Sequence, residues 1–172
     1  MNESQKHSET FVYVIYIKTT AEKLWQALTD GDFSQQYWMG FRIESEWKTG
    51  SPLYVRNPGF LEGKADIIGT VLACDPPRLL TYTFANAADS LAADRQGPSR
   101  VTYELDPVGE IMKLTLTHEN LLPRDLAEKA LTLRGVNNGW PALLSGLKSL
   151  LEAGKALDFE VLMTEFKPKA AQ

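Results

Sequence analysis

His118 ends a run in which Met112, Leu114, Leu116 and His118 share one strand face, opposite Lys113, Thr115 and Thr117. An imidazole at the end of an apolar face can orient a ligand or move a proton. The competing reading is a histidine satisfied by a loop carbonyl, fixing the turn beyond the strand. Tyr82 lies between Leu80 and Phe84 on a similar face. A phenol among apolar neighbours needs a hydrogen-bond partner, and a ligand could supply it. Trp38, Trp47, Phe60, Tyr82, Phe84, Tyr103 and Trp140 form the pool from which an aromatic pocket could be lined. Leu116 and Leu144 would add its aliphatic wall. The same residue types also build solid cores, so the pattern admits both uses.

The other reactive groups fit plainer roles. Cys74 stands before Asp75-Pro76-Pro77 with no base assignable to it, which reads as a buried, inert thiol. Arg56 or Arg100 turned inward could bind a carboxylate in a fork. Alternation instead sets Arg100 opposite Val101 and Tyr103, and Glu62 and Asp66 likewise read as solvated. Asp30 and Asp32 bracket Gly31 as helix-end residues. His7, His118 and Cys74 are too few for a His/Cys zinc site, and no other constellation supports a metal. Phosphate cradle, serine elbow, H-E-x-x-H and Walker patterns are all missing. The expectation is therefore a ligand-binding site with no cofactor and no assigned catalytic residue.

The chain must position these groups within one domain. Its 172 residues are 44% hydrophobic and 23% charged, an ordinary globular composition. The net charge of −4 disfavours nucleic acid, because neutralising phosphates needs clustered excess Lys and Arg. A single cysteine suits a reducing compartment. No apolar run approaches the roughly 18–20 residues that cross a bilayer, so no membrane is expected. The polar first ten residues carry no signal-peptide core, and a cytoplasmic location is expected. Residues 1–10 and 167–172 read as loose ends around a core of about 11–154.

Phe11 to Lys18 is β-branched and aromatic, the composition of a strand. Thr20 caps a helix over Ala21 to Leu28, which Asp30-Gly31 stops, and Asp32 to Met39 reads as one or two further helical turns. Period-two patterning then predicts strands over 41–47, 53–57, 64–74, 79–85, 100–106 and 111–118. Gly69 marks a bulge or a close backbone approach. Pro58 to Gly63 and Asn86 to Pro98 read as loops. Good helix formers over Asp125 to Arg134 predict a helix broken at Gly135. Asn138 then caps a second helix, with Pro141 in its first turn. Its stripe of Trp140, Leu143, Leu144, Leu147, Leu150 and Leu151 closes at Gly154, with Lys148 and Glu152 on the wet side. This is an α+β chain, and the only large surface able to cover the stripe is the sheet. A sheet of this size curls, and a curled sheet around one helix can enclose a cavity.

Several phrases resemble the START/SRPBCC superfamily, specifically its Hsp90-ATPase-activator-homologue-like branch. They are Thr20 to Asp30 (TAEKLWQALTD), Gly69-Thr70-Val71 with Asp75-Pro76-Pro77-Arg78-Leu79, and Tyr82-Thr83-Phe84. Leu114 to His118 (LTLTH) and Gly139-Trp140 with Leu143, Leu144 and Leu147 complete the set. Together they span about Phe11 to Leu151. The resemblance implies the helix-grip fold, an antiparallel curved sheet of about six or seven strands wrapped around a long C-terminal helix. It also implies a hydrophobic cavity between them and a small hydrophobic ligand as partner. The superfamily includes carriers and aromatic-polyketide cyclases, so a cyclase- or hydratase-like activity through His118 or Tyr82 is the enzyme alternative. A chaperone partner in a stress response is the interaction alternative, after the branch's eponymous member. That activator carries a separate N-terminal domain contributing to chaperone binding, which nothing in these residues resembles. A homodimer through a sheet edge or the helical C-terminal third is left open.

Overall fold

The computed structural model describes residues 8–56, 67–86 and 97–164. Phe60, Glu62, Asp66, the 58–63 loop, most of the 86–98 loop, the 167–172 tail and residues 1–7 of the expected loose start at 1–10 lie outside the described residues, while Glu9 and Thr10 of that start are ordered as the first residues of a strand.

Strand β1 (Glu9–Ile17) alternates as its β-branched and aromatic residues require. Phe11, Tyr13, Ile15 and Ile17 face the core, while Val12, Val14 and Tyr16 face outward. Thr20 caps α1 (Ala21–Thr29) by accepting the Lys23 amide at 3.2 Å. Asp30 ends that helix and caps α2 (Gly31–Tyr37), taking the Asp32 and Phe33 amides on one carboxylate oxygen. Fully buried Ser34 fastens α2 to the next strand, donating to the Gly31 carbonyl and accepting the Ile43 amide at 2.9 Å.

Six strands follow as an antiparallel meander: β2 (Arg42–Ser45), β3 (Pro52–Arg56), β4 (Ile67–Asp75), β5 (Leu79–Asn86), β6 (Ser99–Val108) and β7 (Ile111–Leu121). β1 pairs with β7, so the seven-stranded order is β1-β7-β6-β5-β4-β3-β2. The two short helices thus carry the chain from one sheet edge to the other.

Gly69 of β4 is a close approach, as its isolation in an apolar strand suggests. A Cβ there would stand 2.0 Å from the Thr83 carbonyl oxygen. Because the obstacle is backbone, no side chain can swing aside. Gly69→Ala is therefore expected to cost at least about 2–3 kcal/mol. The urea midpoint checks it, and an unchanged midpoint would mean that β4 and β5 separate there without cost.

The expected helix over 125–134 does not form. A 3-10 turn covers only Pro123–Asp125, and the chain then runs irregularly to Gly135. Tertiary bonds override the local propensity. Asn137 mimics a backbone partner for Ala127, accepting its amide at 2.8 Å and donating to its carbonyl at 3.1 Å. Thr132 and Leu133 are buried within this irregular stretch. Nor does Asn138 cap the last helix. Helix α3 (Val136–Ala153) starts earlier, after Gly135 at φ 84°, and the Asn138 amide donates to the Lys129 carbonyl instead. Gly135 is thus a start and not merely a break, and Pro141 falls beyond the first turn.

Trp140, Leu144, Leu147 and Leu150 of α3 are buried, as the stripe predicts, with Leu143 and Leu151 half-buried beside them. Gly146 meets Tyr37 of α2. On the wet side Lys148 and Glu152 pair at 2.7 Å and also hold the edge strand. Lys148 donates to the Tyr16 carbonyl at 2.6 Å, and Glu152 accepts the Lys18 amide at 2.8 Å. A short α4 (Glu160–Met163) follows. The architecture is the helix-grip fold, a curved antiparallel sheet around a C-terminal helix.

Candidate functional site

Three neighbouring strands supply the inner wall. Their register sets Leu80 beside Tyr103, Tyr82 beside Val101 and Phe84 beside Ser99. It also sets Val101 beside His118 and Tyr103 beside Leu116. Trp140, from the second turn of α3, and Trp38, from the end of α2, come down onto that wall. The result is one contiguous aromatic cluster. Trp140 lies 5.6 Å from Trp38, 5.7 Å from Phe84, 6.2 Å from Tyr103 and 5.9 Å from His118, centroid to centroid. Phe84 stands edge-on to His118 at 5.5 Å and tilted to Tyr82 at 6.3 Å. These separations lie within the range in which aromatic pairs attract.

Six of the nine anticipated site residues, Trp38, Tyr82, Phe84, Tyr103, His118 and Trp140, therefore meet. Leu116 is fully buried beside Tyr103 in register, and Leu144 lies one turn beyond Trp140. Phe60 is outside the described residues. Trp47 packs on the core from the turn after β2, where its backbone takes the left-handed φ of 54°. Phe84 is only half-buried, and of the six rings it is the one most open to the surface.

His118 is 2% exposed and held by side chains, where a loop carbonyl is one sequence expectation. The Trp140 indole can only donate, so His118 Nδ1 accepts from it at 2.9 Å. The ring proton therefore sits on Nε2, 2.8 Å from Ser99 Oγ, and Ser99 in turn donates to the Phe84 carbonyl. A directed chain runs from α3 through β7 and β6 to β5. Ser99, which sequence reading missed, is its hinge. Its detectable signal is the short β6–β7 loop at Gly109, which fixes the register and brings Ser99 diagonally beside His118.

Three buried tyrosines form the cluster's other polar group. The Tyr37 hydroxyl donates to the Ala27 carbonyl at 2.7 Å, and Tyr82 and Tyr103 face each other at 3.5 Å. Burial pushes all three phenols up, and their mutual proximity adds to the effect for Tyr37 and Tyr103. They stay protonated across the neutral range and offer hydrogens, not negative charge. Tyr37 is a second residue missed from sequence, because its short helix carries no clear period.

The charged candidates turn outward. Arg100 pairs with Glu119 at 2.8 Å, and Arg56 lies beside Glu44 and over the Tyr54 ring at 4.6 Å. Asp32 pairs with Arg42, and Asp30 serves as the cap already described. Burial and neighbouring Asp75 raise the Cys74 thiol above its usual range, which opposes a nucleophilic role. Among the described residues no group of three or more His, Cys, Asp or Glu could hold a metal ion. Among them, too, no helix is long and apolar enough to cross a membrane.

The family described as Activator of Hsp90 ATPase homolog 1-like protein matches residues 18–152. No curated protein matches the chain significantly. Among solved structures, the Aha1 dimer from Colwellia psychrerythraea is 22% identical with a TM-score of 0.64, covering 86% of this chain and 99% of that one. An HSP90 activator from Plasmodium falciparum is 22% identical with a TM-score of 0.62, over 83% and 95%. CalU16 from Micromonospora echinospora is 18% identical with a TM-score of 0.62, over 92% and 83%. At these identities the likeness is one of fold.

Proposed function

This chain belongs to the Activator of Hsp90 ATPase homolog 1-like protein family, and on that premise we propose that it binds a small hydrophobic or aromatic ligand in a cavity between the sheet and α3. The observation that carries the reading is the convergence of Trp38, Tyr82, Phe84, Tyr103, His118 and Trp140, with half-buried Phe84 as its outer edge. Leu116, Leu144 and Phe60 complete the proposed lining. Enclosing a ligand of about 300 Å2 would release on the order of 7 kcal/mol gross at roughly 25 cal/mol per Å2, before ordering costs.

Native mass spectrometry of the protein taken from its own cells is expected to show a small molecule that denaturation releases. Phe84→Ala, which opens the less buried side of the cluster, is expected to lose it. Wild type and variant each appearing at its own bare polypeptide mass would count against enclosure.

The enzyme alternative has less support. Both ring nitrogens of His118 are engaged, and burial keeps Tyr82 protonated, so neither stands ready as a base. The interaction alternative has a specific observation behind it. Val12, Val14 and Tyr16 are 55%, 42% and 49% exposed in one row on the outer face of edge strand β1. The Plasmodium falciparum neighbour described as an HSP90 activator lends that reading weight. On titration with an Hsp90 chaperone, amide shifts confined to this row would favour it. The solved dimer among the neighbours similarly supports a homodimer, which sedimentation velocity tests.

A further inference from the structure

The cluster holds few polar hydrogens, and nearly all have protein acceptors. The Trp140 N–H goes to His118, His118 Nε2–H to Ser99, Ser99 to Phe84 and the Tyr37 hydroxyl to Ala27. The Trp38 side chain lies beside the Tyr37 hydroxyl and tempers its upward shift. Tyr82 and Tyr103 are different. Each is 2% exposed, and the pair has two hydroxyl protons but one mutual contact. At 3.5 Å that contact is well beyond the 2.5–3.0 Å usual for O–H···O bonds. At least one phenol proton in the aromatic cluster thus has no acceptor among the described residues, where buried hydroxyls ordinarily find one.

We propose that the Tyr82–Tyr103 pair is the polar anchor of this site and selects ligands that present a neutral oxygen acceptor, such as a ketone carbonyl, on a flat apolar body. The inference rests on the enclosure reading and names the ligand class that would fit it. The flat body follows from the aromatic rings beside the pair, Phe84 at 6.3 Å from Tyr82 and Trp140 at 6.2 Å from Tyr103, which attract another ring. Neutrality follows from the surroundings. Besides the tyrosines and tryptophans, the buried polar side chains among the described residues are Ser34, Ser51, Ser99, His118 and Thr132, with no Lys or Arg. A carboxylate or phosphate would therefore enter without a compensating charge. A pure hydrocarbon would leave the phenol proton unmet. Sites built to bond an oxygen reject analogues lacking it far more strongly than apolar pockets reject a changed methylene.

The test uses two probes of one shape, 2-acetylnaphthalene and 2-isopropenylnaphthalene, in which a CH2 replaces the carbonyl oxygen. Binding is read by quenching of tryptophan fluorescence, for wild type, Tyr82→Phe, Tyr103→Phe and the double variant. Wild type is expected to prefer the ketone by about tenfold, the size of a good neutral hydrogen bond. The double variant is expected to bring the two probes within about twofold of each other by weakening the ketone alone, whereas each single variant leaves one phenol proton for the ketone and keeps part of the preference. Unchanged near-ultraviolet circular dichroism confirms that each variant is folded. Equal affinity in wild type overturns the anchor while leaving enclosure standing, as would happen if an ordered water satisfies the pair. A ketone preference that survives in the double variant places the anchor elsewhere and also overturns it. If neither probe binds wild type, anchor and enclosure fall together.

Discussion

His118→Ala is expected to lose about 3–5 kcal/mol of unfolding free energy, a fall in Tm of roughly 10 °C for a domain of this size. Two effects add. The Trp140 indole N–H is left in the core without an acceptor, and the missing imidazole leaves a void between Phe84 and Trp140. His118→Phe restores the volume and isolates the hydrogen-bond part. His118→Phe combined with Trp140→Phe removes both partners, and is expected to recover about 1–2 kcal/mol relative to the sum of the single losses. Urea unfolding of these variants and of Trp140→Phe alone gives all four numbers. A His118→Ala loss below about 1 kcal/mol would mean that the chain through Ser99 is not what holds α3 to the sheet.

Above pH 10 the protein is expected to lose stability steeply. Unfolded tyrosines release their protons near pH 10, whereas Tyr37, Tyr82 and Tyr103 hold theirs to higher pH in the buried cluster. The unfolded chain then binds fewer protons than the folded one, so stability is complete below pH 10 and falls as pH rises. Each tyrosine contributes a little over 1 kcal/mol per pH unit, about 4 kcal/mol per unit for the three together. Urea midpoints at pH 9, 10 and 11 measure the slope. Tyr82→Phe should remove about a third of it, and a slope indifferent to that change would place the titrating group elsewhere. At lower pH the opposite, much weaker trend comes from Glu152. Lys148 and the Lys18 amide hold its carboxyl below the usual range, so their support fades as pH falls through that lowered value.

Much of the wall could be read from sequence because strand alternation is local. Leu80, Tyr82 and Phe84, and likewise Leu114, Leu116 and His118, share faces whatever their neighbours are. The cap at Thr20 and the close approach at Gly69 are equally local, since one depends on a hydroxyl beside an amide and the other on a missing Cβ. The identity of partners is not local. His118 bonds Trp140 and Ser99 only because the β6–β7 register and the descent of α3 bring them together. Residues 126–134 show the same limit from the other side. Their helix-forming composition is overruled by Asn137 and Asn138, which bind the backbone of Ala127 and Lys129 from outside the segment.

The pairing of β1 with β7 sets an order of events during synthesis. The meander from β2 to β7 joins strands that follow one another, so each can zip onto its predecessor as it leaves the ribosome. β1 leaves first and can pair only after β7 exists, because Phe11 lies opposite His118. At the usual pace of translation that interval is on the order of ten seconds. Throughout it a strand carrying Phe11, Val12, Tyr13, Val14, Ile15 and Tyr16 has neither a neighbour on its hydrogen-bonding edge nor a helix over its inner face, the kind of segment that recruits other chains. Once β7 arrives, Lys148 and Glu152 of α3 close over the Tyr16 and Lys18 backbone, so the last strand to be paired is also latched by the last long helix.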